Sequence, residues 1–286
     1  MATNVIKPNF LCIGAQKSGT TWLYYNLKEH PQIWLPLYKE IHYFDEIYVN
    51  QSLAKSTITR RERNRLSILK DELNKKLNGE NISYSYLKFL AHLAFSEVKD
   101  DRWYLSLFKE ATSQDAIGEI TPAYSALPEL GVKHIKSLLG DIKIIYILRN
   151  PVKRAWLQVV NLRRWDTLQN KPSYEEWVKM IDARYSLFKG HYTRTVTTYE
   201  KYFSQDRILY LFYDDICLNP GNLLQKVCDF LEIGYEDKHF NYTINSLFNS
   251  SSKIDIPEKV EKYLTQKYKQ QEEFIREKFP QASFKL

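Results

Sequence analysis

Residues 14–23 read GAQKSGTTWL, after the apolar run FLCI and before the helical pattern YYNLKEH. Two glycines four residues apart, followed by hydroxyl side chains, have the makings of a loop that wraps a phosphate. A strand ending at Gly14 and a helix starting near Gly19 would leave unpaired N–H groups and the positive end of a helix dipole facing an anion. Gly14 and Gly19 let the backbone come close, Lys17 adds a mobile cation, and Ser18, Thr20 and Thr21 add donors, with Trp22 packed behind. A helix start merely capped by Ser18 or Thr20 would explain a bare glycine pair. It does not explain Lys, Ser, Thr and Thr gathered around one directly after a strand. The loop is not a Walker A motif, which sets its lysine immediately after the second glycine; here Thr20 follows Gly19 and Lys17 precedes it. A kinase or NTPase would also need a magnesium-binding acid at a strand end, and the strand ending at Leu148 runs into Arg149.

The stretch K-x-G-T-T-W-L after a strand resembles the 5′-phosphosulfate loop of sulfotransferases that use 3′-phosphoadenosine 5′-phosphosulfate (PAPS). The likeness covers most of the chain and thins at 47–112 and in the C-terminal tail. It is nearest the branch holding the heparan sulfate sulfotransferases and their soluble bacterial relatives. The resemblance implies a P-loop-like α/β fold, PAPS as sulfuryl donor and no metal for transfer. It implies that Lys17, Ser18, Gly19, Thr20 and Thr21 hold the 5′-phosphosulfate beside Trp22, with Lys17 nearest the bridging oxygen. Two alternatives are a P-loop kinase or NTPase and a nucleotide-binding relative without catalysis.

The segment YKEIHYFDE, 38–46, sets Glu40, His42 and Asp45 close together. Sulfuryl transfer asks for a base to take the acceptor's proton and a cation where charge builds on the leaving phosphate. Lys17 suits the second task. Read as extended chain, Glu40 and His42 share a face. On the residues alone, a Glu40–Lys39 pair beside a packed histidine is the plainer reading. The segment resembles the family stretch E-x-H-F-F-D, which implies Glu40 as general base with His42 in reserve, and Asp45 supporting them or binding acceptor.

IIYILRNPVKRAWLQVVN, 144–161, reads as a strand running into a helix with Pro151 at its start. Arg149 stands where α/β folds place ligand residues, with a guanidinium able to grip a phosphate. The pattern resembles the family's L-R-[ND]-P-x-x-R-A, in which the first arginine binds the 3′-phosphate; Arg154 is read as supporting the fold. The family's serine eight positions after that arginine is Leu157 here. GEITPAY, 118–124, resembles the acceptor-side segment and nominates Glu119 and Tyr124; Ile120 stands where the heparan branch has lysine. NSSSKIDIP, 249–257, resembles the loop closing over the adenosine phosphate and nominates Ser252 and Lys253. Tyr192 is either a wall of the site or core. Arg163, Arg164 and Trp165 are acceptor-pocket candidates or surface residues.

These residues need a scaffold. Four apolar runs without alternation, at 9–14, 116–120, 143–148 and 207–213, suit strands covered on both faces. Helical patterns separate them at 19–29, 60–78, 82–99, 128–139, 151–168, 173–188, 191–203 and 219–232, with one or two more in the tail. The expectation is a three-layer α/β fold: one domain over 1–286, a mainly parallel central sheet flanked by helices, and a helical insertion at about 47–112.

A net charge of +7 favours anionic partners. The basic run RRERNR, 60–65, reads as a solvated helix face without an accompanying nucleic-acid motif, so no nucleic-acid partner is expected. The N-terminus has no apolar signal core, and the longest apolar run, IKIIYIL, is strand-length against the ~20 residues of a membrane helix. No stable membrane anchoring is expected. Three cysteines without a C-x-x-C fit a reducing cytoplasm. The acceptor is expected to be a small molecule or glycan; neither its identity nor the oligomeric state is legible.

Overall fold

The computed structural model describes residues 5–48, 55–96, 99–111, 114–163, 172–183, 190–240 and 255–280. Its centre is β1 (Phe10–Gly14), buried along its whole length. One side of β1 pairs with β3 (Ala116–Ile120), Leu11 opposite Glu119; the other pairs with β4 (Lys143–Leu148), Leu11 opposite Ile144. Beyond β3 lies β2 (Ile33–Trp34), and beyond β4 lies β5 (Ile208–Phe212). The order is β2-β3-β1-β4-β5, and every described pairing is parallel.

Strand alternation explains the unbroken apolar runs, because both faces are covered. Leu11, Ile13, Ile144, Tyr146 and Leu148 face one core; Phe10, Cys12, Ile145, Ile147 and Leu211 face the other. The first core is closed by α6 (Glu129–Leu139), through Val132 and Ile135, and by α9 (Tyr192–Glu200), through Val196 and Tyr199. The second is closed by α1 (Thr20–Lys28) and α11 (Pro220–Leu231). A separate cluster joins α7 (Pro151–Arg163), α8 (Tyr174–Asp182) and α12 (Glu258–Lys278), with Trp156 and Trp177 rings 4.7 Å apart. Within the insertion, α3 (Lys55–Leu77) and α4 (Tyr84–Phe95) share a small core of Leu69, Leu87 and Leu90.

The three-layer α/β expectation holds. Among the described strands and α-helices, four were not anticipated: the two-residue β2, α2 (Tyr43–Tyr48), α5 (Asp101–Ser106) and α10 (Tyr213–Leu218). Each is six residues or fewer, too short to carry a periodic signal. Among the described residues, no helix is long and apolar enough to cross a membrane.

Candidate active site

The chain leaves β1, moves outward to β2, returns to β3, then crosses β1 to reach β4 and β5. Reversal of strand order beside β1 opens a crevice at the carboxyl ends of the strands, where open α/β sheets bind ligands. A cavity of about 300 Å³ lies there, lined by Lys17, Thr21 and Trp22 after β1, Pro122 after β3, Arg149 after β4 and Tyr213 after β5. Glu40 also lines it.

The loop from Gly14 to Trp22 is a built feature. Lys17 and Gly19 have φ of 69° and 91°, in the left-handed region. Gly19 is the residue before α1 and makes no side-chain cap; neither do Ser18 or Thr20, so simple capping is not what this sequence does here. A Cβ on Gly19 would collide with Ile216 Cδ1, because α10 packs against the loop. No acidic residue sits in the first turn of α1, which leaves the positive helix end uncompensated. Ser18 and Thr20 are buried, while Lys17 and Thr21 are half-buried at the cavity.

Arg149 locks onto this loop. Its Nη1 donates to the Lys17 carbonyl at 2.9 Å, and its guanidinium lies 3.7 Å over the Tyr213 ring. The Tyr192 hydroxyl donates to the Arg149 carbonyl at 2.8 Å and accepts from its N–H at 3.3 Å. Burial pushes the guanidinium pKa down. Arg149 Nε and Trp22 Nε1 are buried without a hydrogen-bond partner among the described residues. Tyr192 is thus a core residue that fixes the Arg149 backbone. Leu157 does wall the cavity. Arg154 is fully buried against Gly190 and does not line the cavity.

Glu40, His42 and Asp45 do meet, by a different route from the extended chain the sequence suggests. Glu40 and His42 have φ of 67° and 61°, and α2 starts at Tyr43. Left-handed backbone at non-glycine residues costs about 1–2 kcal/mol each. This turn wraps the ring of His42 between two carboxylates: Nε2 lies 3.3 Å from Glu40 Oε2, and Nδ1 lies 3.1 Å from each Asp45 oxygen. Lys39 pairs with the other Glu40 oxygen. Burial pushes the Glu40 carboxyl up, but Lys39 and His42 outweigh it and hold it well below the usual carboxylate range.

A residue that sequence reasoning missed secures the turn. Arg65, the last of the basic run RRERNR, is 2% exposed. Its Nη2 donates to the Ile41 carbonyl at 2.7 Å and to Glu46 Oε1 at 3.2 Å. The run is therefore not wholly a solvated face, since its final arginine reaches inward from α3. Tyr213 was missed as well; its position directly after β5 was the available signal.

Glu119 and Tyr124 are 1% and 0% exposed and do not line the open cavity, so neither faces it as the sequence reading allowed. Asp45 is likewise buried. Glu119 accepts from Tyr104 at 2.8 Å, Thr121 at 2.8 Å and Tyr124 at 2.9 Å, and Tyr124 in turn accepts from the Tyr43 N–H at 3.1 Å. The cluster carries β3 to the residue beside His42. Burial pushes the Glu119 carboxyl up to about 7, against those three donors. Ser252, Lys253, Arg164 and Trp165, and the Arg163 side chain, lie outside the described residues.

A sequence model of the sulfotransferase family matches residues 8–237. The chain belongs to this family. Curated relatives include membrane-associated sulfotransferase kil1 of Dictyostelium discoideum, 29% identical over 59% of this chain and 26% of kil1. Another is the human heparan sulfate glucosamine 3-O-sulfotransferase 6, 23% identical over 84% of this chain and 57% of that protein. The chain therefore spans a quarter to just over half of these relatives' lengths. Among solved structures, a sulfotransferase from Alicyclobacillus acidocaldarius superposes with a TM-score of 0.65 at 20% identity, covering 93% of both chains. The sulfotransferase domain of the Synechococcus PCC 7002 olefin synthase gives 0.54 at 17% identity, covering 94% of this chain and 97% of that one. These superpositions establish the P-loop-like fold.

The Glu119 shift sets a pH dependence of stability. The unfolded chain gives up this proton near pH 4.5 and the folded protein holds it to about 7, so the contribution is present at low pH and lost as pH rises through that window. The loss is about 3 kcal/mol by linkage. Denaturant titrations of wild type and Glu119→Gln at intervals from pH 4.5 to 8 check it: the stability difference moves in favour of the variant up to about pH 7, then levels off.

Proposed function

We propose that the chain moves a sulfuryl group from PAPS to a hydroxyl or amine of a small-molecule, sugar or lipid acceptor, with Glu40 as the general base. The observation that carries this reading is the convergence of the Lys17 loop, Arg149 and Glu40 on one cavity. Family membership places sulfuryl transfer first among reaction types.

The residues present fit an adenosine 3′,5′-bisphosphate moiety. A positive helix end without an acidic neighbour and Lys17 on a left-handed turn suit the 5′-phosphate. Arg149, with its Nε unpartnered among the described residues, suits the 3′-phosphate. Leu157 in the wall supplies no donor, so Arg149 carries more of that contact than the family pattern provides. When bound, PAPS supplies the sulfuryl group and a bisphosphate leaving group. Lys17 then meets the negative charge that builds on leaving. Glu40, in line with the cavity, accepts the acceptor's proton. His42 offers one nitrogen to Glu40 and the other to Asp45, and a ring engaged on both sides orients its neighbour rather than taking a proton. That favours Glu40 over the reserve, His42.

Lys39 tempers the base. A carboxylate held low in pKa is ionised but weakly basic, so transfer requires that the ammonium loosen its hold. Asp45, Glu119 and Tyr124 act as supports, by way of His42 and the Tyr43 backbone. The chain works as one domain, its insertion fastened to the catalytic turn by Arg65. Its reaction needs no metal and no nucleic-acid partner. A cytoplasmic location is supported by three free cysteines, one of them exposed.

Replacing Glu40 by Gln lowers kcat about 10²–10⁴-fold, while calorimetric affinity for adenosine 3′,5′-bisphosphate stays within about twofold of wild type. Radiolabelled PAPS with a broad acceptor panel reads the rate; full activity in the variant contradicts the assignment. A second outcome concerns pH. Lys39 lowers the Glu40 pKa, so Lys39→Met raises it, and the acid limb of kcat/KM moves to higher pH by about 1–3 units. An unmoved limb means that Glu40 is not the group that titrates.

A further inference from the structure

A second and larger cavity, about 640 Å³, opens between α1, the segment 37–39 and the α3–α4 insertion. It is lined by Tyr25, Tyr38 and Tyr86, by Lys28 and Lys39, and by Glu72 among others. Its size is that of a small-molecule site. Lys39 lines this cavity while Glu40, the next residue, lines the first. The Lys39–Glu40 ion pair therefore joins a residue that lines one cavity to a residue that lines the other.

The chemistry of the lining selects an occupant. Glu72 is bonded by Lys75 at 2.7 Å and Lys39 by Glu40, so among the lining charges Lys28 is the cation that no described carboxylate pairs, with Lys39 the second once it leaves Glu40. Tyr25 is 41% exposed and offers its ring, with Tyr38 and Tyr86 half-buried beside it. Tyrosine faces hold a flat ring or the C–H face of a sugar. A lysine beside them recognises an anionic group. Lys39 has only one ammonium to share between an anion in this cavity and the Glu40 carboxylate in the other.

We propose that this second cavity is the acceptor's subsite, that it takes a ring-bearing molecule with one carboxylate or sulfate group, and that this group draws Lys39 off Glu40. The acceptor thereby releases the base that deprotonates it. Without an acceptor, Glu40 stays clamped, which guards bound donor against transfer to water. The proposal rests on Glu40 being the base. The shared chemistry has two sources, a sugar acid and an aromatic acid, which the test separates.

The test is calorimetric titration of the full chain with methyl glucuronide and with 4-hydroxybenzoate, against methyl glucoside and 4-hydroxybenzyl alcohol as their neutral counterparts. Wild type, Lys28→Met and Tyr86→Ala are compared, each also titrated with adenosine 3′,5′-bisphosphate. The expected result is that at least one anionic probe binds about tenfold or more tightly than its neutral counterpart. Both substitutions weaken that probe about tenfold while bisphosphate affinity holds, which also reports an intact fold. The more tightly bound acid identifies the source. The proposal is overturned if neither acid binds, if the neutral counterparts bind equally, or if neither substitution weakens the acid. Bisphosphate binding without acid binding removes the subsite alone; acid binding without bisphosphate binding removes the donor reading alone.

Discussion

The hydrogen bond from the Arg149 guanidinium to the Lys17 carbonyl joins residues 132 positions apart and holds the Gly14–Trp22 loop against the end of β4. It forms only because the sheet reverses its strand order beside β1, which sets the ends of β1 and β4 side by side. The same bond fixes the left-handed turn at Lys17, and Tyr192 anchors Arg149 from the core behind. Tyr213 then covers the guanidinium from β5, and Gly19 lets α10 close in without a side chain between them. An arginine in this place is restrained in geometry yet still has a donor to offer, which is the preorganisation that anion recognition needs.

Glu40, the base proposed above, is arranged on the opposite principle. Glu40 sits on a left-handed backbone, flanked by Lys39 and His42, and both neighbours deepen its ionisation at the expense of its basicity. Such a turn persists only where its surroundings over-determine it. Here the surroundings are Arg65, bonded to the Ile41 carbonyl from the insertion, and the Glu119–Tyr124 pair, bonded to the Tyr43 N–H from β3. The insertion is therefore part of the architecture around the cavity, and the buried tyrosine–glutamate cluster transmits the position of the sheet to the turn at Glu40–His42.

Much of this was legible in the sequence because parallel strands buried on both faces write themselves as unbroken apolar runs. The four runs at 9–14, 116–120, 143–148 and 207–213 lie within a residue of the observed strands. The meeting of the Gly14–Trp22 loop with Arg149 at one cavity was legible too, since its signal is local: residue types at fixed spacing beside a strand end. Other features were not local. Arg65 reads as one more charge on a polar helix, and only the packing of α3 onto residue 41 turns it inward. Glu119 and Tyr124 read as acceptor-facing through the likeness of GEITPAY to the family's acceptor-side segment, but Tyr104 arrives from the unanticipated α5 and seals them in. The turn at Glu40 and His42 defied an alternation argument because neither residue type announces a positive φ.

The central claim is that this crevice recognises an adenosine carrying both 5′- and 3′-phosphates, with Arg149 on the latter although Leu157 offers no donor. Calorimetric titration of wild-type protein with adenosine 3′,5′-bisphosphate and with AMP, both in EDTA, tests it most directly. The account predicts micromolar or tighter binding of the bisphosphate, with AMP at least about tenfold weaker, a difference of about 1.4 kcal/mol carried by the 3′-phosphate. Equal and weak binding of the two nucleotides would contradict it.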